Sequence, residues 1–227
     1  MNTPVIFLHG WAGSFAHTWQ RSGIVDLLQD AGRHVVPFDL PGHGTAEKSH
    51  DPAAYSRLPD ALIAHLKDHA VVDAVGFSLG AITLLHAVVA APHRFGKVIL
   101  AGIGDGVFQP HDPQNSERIL SGLEGRADPG DITARIFGKI GNEANNDPQA
   151  LAAVLRRPRA EPVTESQLAV IRNDILVVLG DKDFSRPADR LVAALPSARF
   201  VALKGIDHFR TPEAFEFIDA VLEFLAT

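Results

Sequence analysis

A serine, a histidine and an aspartate, each placed just after an apolar run, carry the chemistry of this chain. The serine is Ser78, in Val75-Gly76-Phe77-Ser78-Leu79-Gly80, a Gly-x-Ser-x-Gly motif. An alcohol is a poor nucleophile near neutral pH unless a neighbouring base takes its proton. His208, in Lys204-Gly205-Ile206-Asp207-His208-Phe209, is the candidate base. The chain has 11 histidines, so position and not residue type selects it. A base of this kind needs a carboxylate to fix its tautomer and stabilise its charged form. Asp183, in Gly180-Asp181-Lys182-Asp183, is preferred because it stands farther out on its loop than Asp181, which can instead make turn hydrogen bonds. Asp105, between Gly104 and Gly106 after another apolar run, competes for the same role; its plain alternative is an Asx-type turn. Asp207 is adjacent to His208 and is expected to point away from the ring.

An attack by serine on a carbonyl also needs two backbone donors for the oxyanion. The Leu79 N–H follows the nucleophile directly. The second is expected from the loop His9-Gly10-Trp11-Ala12-Gly13-Ser14, with the Trp11 N–H in that role. His9 reads as a hydrogen-bonding support. Trp11, Phe77 and Phe209 are the side chains expected to wall the substrate pocket. No metal or organic cofactor is required by this chemistry.

The elements that must position these groups follow from the pattern. Ala70 to Val75 is a short apolar run rich in β-branched residues and predicts a buried strand; Ala81 to Ala91 is apolar nearly all round, ends at Pro92, and predicts a buried helix. A serine at a sharp strand-to-helix turn is held in a strained conformation, and glycines on either side keep the turn free of side chains. Further strands are predicted at Thr3 to Leu8, His34 to Phe38, Lys97 to Ile103, Asp174 to Leu179 and Arg199 to Leu203. Helical spacing lies between them at Ile24, Leu27 and Leu28, at Leu58, Leu62, Ile63 and Leu66, and from near Pro187. After the last strand, Thr211-Pro212 marks a helix start, with Phe215, Ile218, Leu222 and Leu225 as its expected buried stripe. Alternating strands and helices predict an α/β fold: a doubly wound, mostly parallel sheet of about six strands with helices on both faces. In such a sheet the carboxyl ends of the strands share one edge, so the clusters holding His9, Ser78, Asp105, Asp183 and His208 converge there.

From about 107 to 166 the strand signals vanish and Pro, Gly, Asp and Asn become frequent. Short helical patterns remain around Ser116–Leu123, Asp131–Ile140 and Asp147–Arg156. This stretch is the expected helical cap over the site, inserted in one domain that spans 1–227.

The five loop motifs together resemble the α/β-hydrolase superfamily, in the chain order serine, aspartate, histidine. They are His9-Gly10-Trp11, Asp39-Leu40-Pro41-Gly42-His43-Gly44, Gly76-Phe77-Ser78-Leu79-Gly80, Gly180-Asp181-Lys182-Asp183 and Asp207-His208-Phe209, and they run across nearly the whole chain. The resemblance implies the triad Ser78–Asp183–His208 and a lid inserted before the strand that carries the acid. Members of that superfamily often begin with an antiparallel hairpin; here the chain opens on the strand before His9-Gly10. The activity implied is serine hydrolysis of a small or medium carboxylic ester. The same triad also serves carbon–carbon, thioester and lactone hydrolysis, cofactor-free perhydrolysis and, in some proteins of this fold, ligand reception without turnover.

Composition agrees with a small-molecule enzyme. The chain has 227 residues, 46% hydrophobic, with a formal net charge of −6, which disfavours a nucleic-acid partner. It has no cysteine, so thiolate chemistry, disulfides and cysteine-bound zinc are excluded together. No apolar run reaches the ~20 residues of a membrane span. The segment from Met1 shows no secretory signal, and a cytoplasmic location is expected.

Overall fold

The computed structural model describes residues 3–226; Met1, Asn2 and Thr227, and with them the very start of the chain, lie outside the described residues. The described residues form one six-stranded sheet in the order β2-β1-β3-β4-β5-β6, with every neighbouring pair parallel. The strands are β1 (Val5–Leu8), β2 (Val35–Val36), β3 (Val72–Phe77), β4 (Phe95–Ala101), β5 (Ile175–Gly180) and β6 (Ala198–Leu203). β2 is shorter than the predicted His34–Phe38. Pro37 has no N–H to give a ladder, so pairing stops at Val36.

Strand alternation divides the core in two. Ile6, Leu8, Ala74, Val98, Leu100, Val177 and Leu179 face one layer, against α2 (Leu58–His65) and α3 (Leu79–Ala90). Val5, Phe7, Val75, Phe77, Ile99, Ala101 and Val178 face the other, against α1 (Ile24–Asp30) and α9 (Phe215–Ala226). Each fully buried Leu, Val or Phe contributes roughly 1.5–3 kcal/mol. The inner strands are apolar on both faces because both faces are covered.

The α9 stripe differs from expectation. Its buried side chains are Phe217, Ile218, Val221, Phe224 and Leu225, whereas Phe215 is 81% exposed and Leu222 only partly covered. Thr211-Pro212 opens a separate short turn, Thr211–Glu213, so the helix itself begins at Phe215. Phe215 therefore sits at the first helical position, where it faces solvent, and the stripe is rotated by about one residue.

Between β4 and β5 come α4 (Pro113–Leu123), α5 (Ile132–Gly141), α6 (Pro148–Arg156) and α7 (Glu165–Leu168). The aspartates Asp112, Asp131 and Asp147 cap the first three through their side chains, and Thr164 and Gln167 form a capping box on α7. Each start is thus written in sequence. α4 and α5 approach so closely that a Cβ on Gly122 would stand 1.9 Å from the Ala134 carbonyl oxygen. α8 (Asp189–Ala194) precedes β6. Among the described residues, no helix is long and apolar enough to cross a membrane.

Candidate active site

β3 runs out at Phe77 and α3 begins at Leu79, which leaves Ser78 alone at the corner with φ 53° and ψ −117°. A positive φ on a residue with a Cβ is strained and persists only where the surroundings enforce it. The enforcement is steric. A Cβ on Gly76 would lie 2.7 Å from the Ala81 Cα, and one on Gly80 would lie 2.4 Å and 2.6 Å from the Leu8 and His9 carbonyl oxygens. Helix α3 can approach β1 and β3 this closely only because both positions are glycine.

The corner lies beside the point where strand order reverses, between β1 and β3, and three loops meet there. The His208 Nε2 stands 3.0 Å from the Ser78 Oγ. The His208 Nδ1 stands 3.0 Å and 2.9 Å from the two carboxylate oxygens of Asp183. A carboxylate only accepts, so Nδ1 carries the proton and Nε2 is free to accept from the serine hydroxyl. Asp183 and His208 are both buried. Asp183 Oδ1 also accepts the Ser185 N–H at 2.7 Å, which fixes the carboxylate plane.

The competing carboxylates are occupied elsewhere. Asp105 Oδ1 accepts the Leu191 N–H at 2.9 Å, anchoring α8 instead of making an Asx-type turn between its glycines. Asp181 Oδ1 accepts the Gly205 N–H at 2.7 Å, and Asp207 Oδ1 accepts the Arg210 N–H at 3.0 Å. Each of the last two ties down the loop that carries His208 or its acid.

Leu79 is the first residue of α3, so its N–H has no carbonyl one turn earlier in the helix. Among the described residues the Trp11 N–H likewise meets no acceptor. The loop around Trp11 is held from below by His9, which is fully buried. His9 Nε2 accepts the Leu40 N–H at 3.1 Å, and Nδ1 therefore donates to the Gly10 carbonyl at 2.8 Å. Burial, only partly offset by the Gly10 bond and by Asp39, keeps the His9 pKa below the usual value. The ring is neutral despite Asp39 Oδ1 at 3.6 Å. From above, the loop is tied to the β4–β5 insertion: Trp11 Nε1 donates to the Leu151 carbonyl at 3.1 Å, and Asn146 Nδ2 to the Ala12 carbonyl at 3.1 Å.

Ser78 opens onto two cavities. A small one of about 120 Å³ is lined by Trp11, Phe77, Phe137, His208 and Phe209. A larger one of about 530 Å³ runs beneath the insertion, past Ile82, His86, Val107, Arg157 and Arg159. A still larger open concavity, about 1180 Å³, lies at the opposite edge of the sheet beside Arg33, Asp73 and Asn173, remote from every strand-end side chain named above. Among the described residues, no three His, Asp or Glu side chains gather as a metal site requires.

A sequence model of the Alpha/beta hydrolase family matches residues 5–220. The chain belongs to the α/β-hydrolase family. It is an enzyme, a hydrolase. It is similar to 2-hydroxy-6-oxononadienedioate/2-hydroxy-6-oxononatrienedioate hydrolase 2 of Pseudomonas putida, 29% identical over 252 residues that cover 97% of this chain and 87% of that protein. An esterase of Mycobacterium tuberculosis is 32% identical over 117 residues, covering 50% of this chain and 37% of the other. Among solved structures, a carboxylesterase of the thaumarchaeon Nitrososphaera gargenis superposes with a TM-score of 0.78 at 17% identity, over 99% of this chain and 90% of that one, a likeness of fold.

In this α/β-hydrolase, Trp11, Phe77 and Phe209 all line the small cavity. Sequence reasoning missed Phe184 and Phe137. The Phe184 ring lies 4.2 Å from the His208 ring, centroid to centroid, and Phe137 packs edge-on against Trp11 at 5.7 Å and Phe209 at 5.0 Å. Phe184 directly follows Asp183, a clue that adjacency alone could have offered; Phe137 comes from α5 and left no signal. Gly102, just after β4, has a similar steric role. A Cβ on Gly102 would stand 2.6 Å from the Phe77 ring and 3.2 Å from the His208 ring, so this position leaves room for the histidine.

Proposed function

We propose that this hydrolase cleaves a small or medium carboxylic ester through an acyl-enzyme on Ser78. The observation that carries the reading is the continuous chain from the Ser78 Oγ to the His208 Nε2 at 3.0 Å and from its Nδ1 to Asp183 at 2.9 Å. Ser78 attacks the carbonyl carbon while His208 takes the hydroxyl proton. Asp183 holds the ring and stabilises the imidazolium that forms. The oxyanion is received by the Leu79 and Trp11 N–H groups, each worth about 3 kcal/mol of transition-state stabilisation in comparable sites. His208 then gives its proton to the departing alcohol. Water attacks the acyl-enzyme by the same route in reverse, releasing the acid and restoring the serine.

The helices of residues 107–166 serve as the cap, and the Trp11–Leu151 and Asn146–Ala12 bonds couple it to the oxyanion loop. The substrate is a small molecule, held with its reacting carbonyl between the two cavities. The cysteine-free chain suits a reducing cytoplasm, where we place the enzyme. A second reading, hydrolysis of a carbon–carbon bond by the same triad, is favoured by the full-length likeness to the dienedioate hydrolase of Pseudomonas putida.

The test is release of p-nitrophenol from acetate, butyrate and octanoate esters by the parent and by Ser78→Ala. Activity lost in the variant supports the acyl-enzyme on Ser78, and the chain-length preference sizes the acyl pocket. Activity that survives the substitution overturns the nucleophile. A folded parent inert toward every ester moves the carbon–carbon reading to the front.

A further inference from the structure

The outer face of the insertion carries paired arginines, and its inner face carries unpaired ones. Arg118 bonds Asp131, and Arg126 and Arg156 both bond Glu124, all exposed. Arg157 and Arg159, just past the end of α6, line the cavity that Ser78 opens onto, and neither forms an ion pair among the described residues. This inverts the usual arrangement, in which an enclosed cation is the one with a counter-charge.

Their hydrogen bonds leave much of each guanidinium unused. Arg157 Nη1 donates to the Val154 carbonyl at 2.6 Å. Arg159 Nη2 donates to the Leu155 carbonyl at 3.0 Å and the Ser116 Oγ at 3.1 Å, while its buried Nε–H meets no acceptor. A guanidinium has five donors. The contacts made satisfy the last carbonyls of α6, a plain structural role. That role explains neither the sealed Nε–H nor a second positive charge in the same enclosure.

The other polar groups do not neutralise the pair. Burial, reinforced by Arg159, lowers the Arg157 pKa to about 9. His86 and His111 are also held below their usual value, by burial first and then by Arg157 at His86 and by Arg159 and Arg157 at His111, so both are neutral at pH 7. The carboxylate on the cavity wall, Asp112, is exposed, and its Oδ1 caps α4 through the Gln114 N–H at 2.9 Å.

We propose that Arg157 and Arg159 bind a carboxylate carried by the substrate, so that the preferred ester has a free carboxylate as well as the scissile carbonyl. The identity of the bond cleaved rests on the ester reading above; the anion site does not. A carboxylate matches the planar fork of a guanidinium and replaces the missing counter-charge. The cavity of about 530 Å³ has room for a short dicarboxylic monoester.

Two measurements test this. The first compares kcat/KM for monomethyl adipate and methyl hexanoate in the parent, Arg157→Gln, Arg159→Gln and the corresponding lysine variants. The parent is expected to prefer the adipate ester. In each glutamine variant the adipate-to-hexanoate ratio falls about 30-fold or more, mainly through KM, and lysine restores part of it. A ratio unchanged by the substitutions overturns the proposal and leaves the arginines as helix-end supports. The second measurement is calorimetric titration of the parent and the glutamine variants with adipate and with adipamide. Adipate binding that the variants lose, with no comparable adipamide binding, supports the site even if neither ester is hydrolysed; in that case the ester reading alone falls. A parent that binds adipate no better than adipamide overturns the anion site whatever its esterase activity.

Discussion

Asp183→Asn isolates the tautomer argument with almost no change in shape. Asp183 Oδ1 accepts the Ser185 N–H at 2.7 Å, so an asparagine must place its carbonyl oxygen there and its NH2 at the Oδ2 position. That NH2 then faces His208 Nδ1 at 2.9 Å. Two donors cannot share that contact, and the carbonyl oxygen 3.0 Å from Nδ1 is already engaged by the Ser185 N–H, so the ring is expected to give up its Nδ1 proton and carry one on Nε2, pointed at Ser78. A protonated Nε2 cannot take the serine proton. The expected loss in kcat is about 10⁴-fold, on the order of 5 kcal/mol at the transition state. KM for a p-nitrophenyl ester should change little, because the residue does not line either cavity. Steady-state kinetics on p-nitrophenyl butyrate, with circular dichroism to verify the fold, read the result. A variant within about tenfold of the parent in kcat would refute the claim that Asp183 sets the tautomer of His208.

Three further outcomes are expected. Gly80→Ala puts a Cβ 2.4 Å from the Leu8 carbonyl oxygen, where only backbone movement can relieve the clash, so urea unfolding should show a loss of about 3 kcal/mol; Gly106→Ala, with nothing within 4 Å, should be near neutral. Trp11→Phe leaves the Leu151 carbonyl without its indole donor and should cost about 1–3 kcal/mol in stability while lowering kcat more than it raises KM, measured by urea unfolding and ester kinetics. His43 is fully buried, and burial first, then His9, lowers its pKa to about 3. The unfolded chain binds a proton at this position that the folded one refuses, so His43 makes stability fall as pH drops from about 6.5 towards 3, by up to about 1.4 kcal/mol per pH unit. His43→Asn should flatten that acid limb by about 2–3 kcal/mol between pH 6 and pH 4, and an unchanged limb in denaturant titrations would refute the assignment.

What the sequence disclosed and what it hid divide along a physical line. Strand ends, tight turns and helix starts are local, and each leaves a local mark. The glycines about Ser78 exist because α3 passes within backbone contact of β1, and the side chains after β3, β5 and β6 are brought together by a parallel sheet whatever the details of packing. His9, Ser78, Asp183 and His208 were therefore legible as one edge of the molecule. Position favoured Asp183 but did not exclude Asp105, because both follow strands on that edge; each carboxylate holds a backbone amide, and Asp183 is the one that also meets the His208 Nδ1. The α9 stripe failed for a related reason. Phe215 and Phe217 fit helical spacing equally well, and only the extra turn at Thr211–Glu213 fixes which of them faces the sheet.

The insertion between β4 and β5 is where local marks stop being informative. Two of its helices start where Asp131 and Asp147 mark them, and α4 starts at Pro113, ahead of the expected Ser116; a cap aspartate says where a helix starts and nothing about what its inner face meets. Phe137 reaches Trp11 and Phe209 across the chain, and Arg157 and Arg159 line the cavity onto which Ser78 opens, a placement that no local pattern announces. Only the tertiary packing about Ser78's cavity separates the arginines that have carboxylate partners from the ones that do not. The edge that gathers Ser78, Asp183 and His208 is fixed by the sheet. In the reading proposed above, part of the selectivity comes from the inner face of the insertion, where small changes in sequence exchange one cavity-lining group for another without touching the sheet. The free-carboxylate requirement proposed for Arg157 and Arg159 would be selectivity of that form, and it would change with two residues while the Ser78–His208–Asp183 chain stayed as it is.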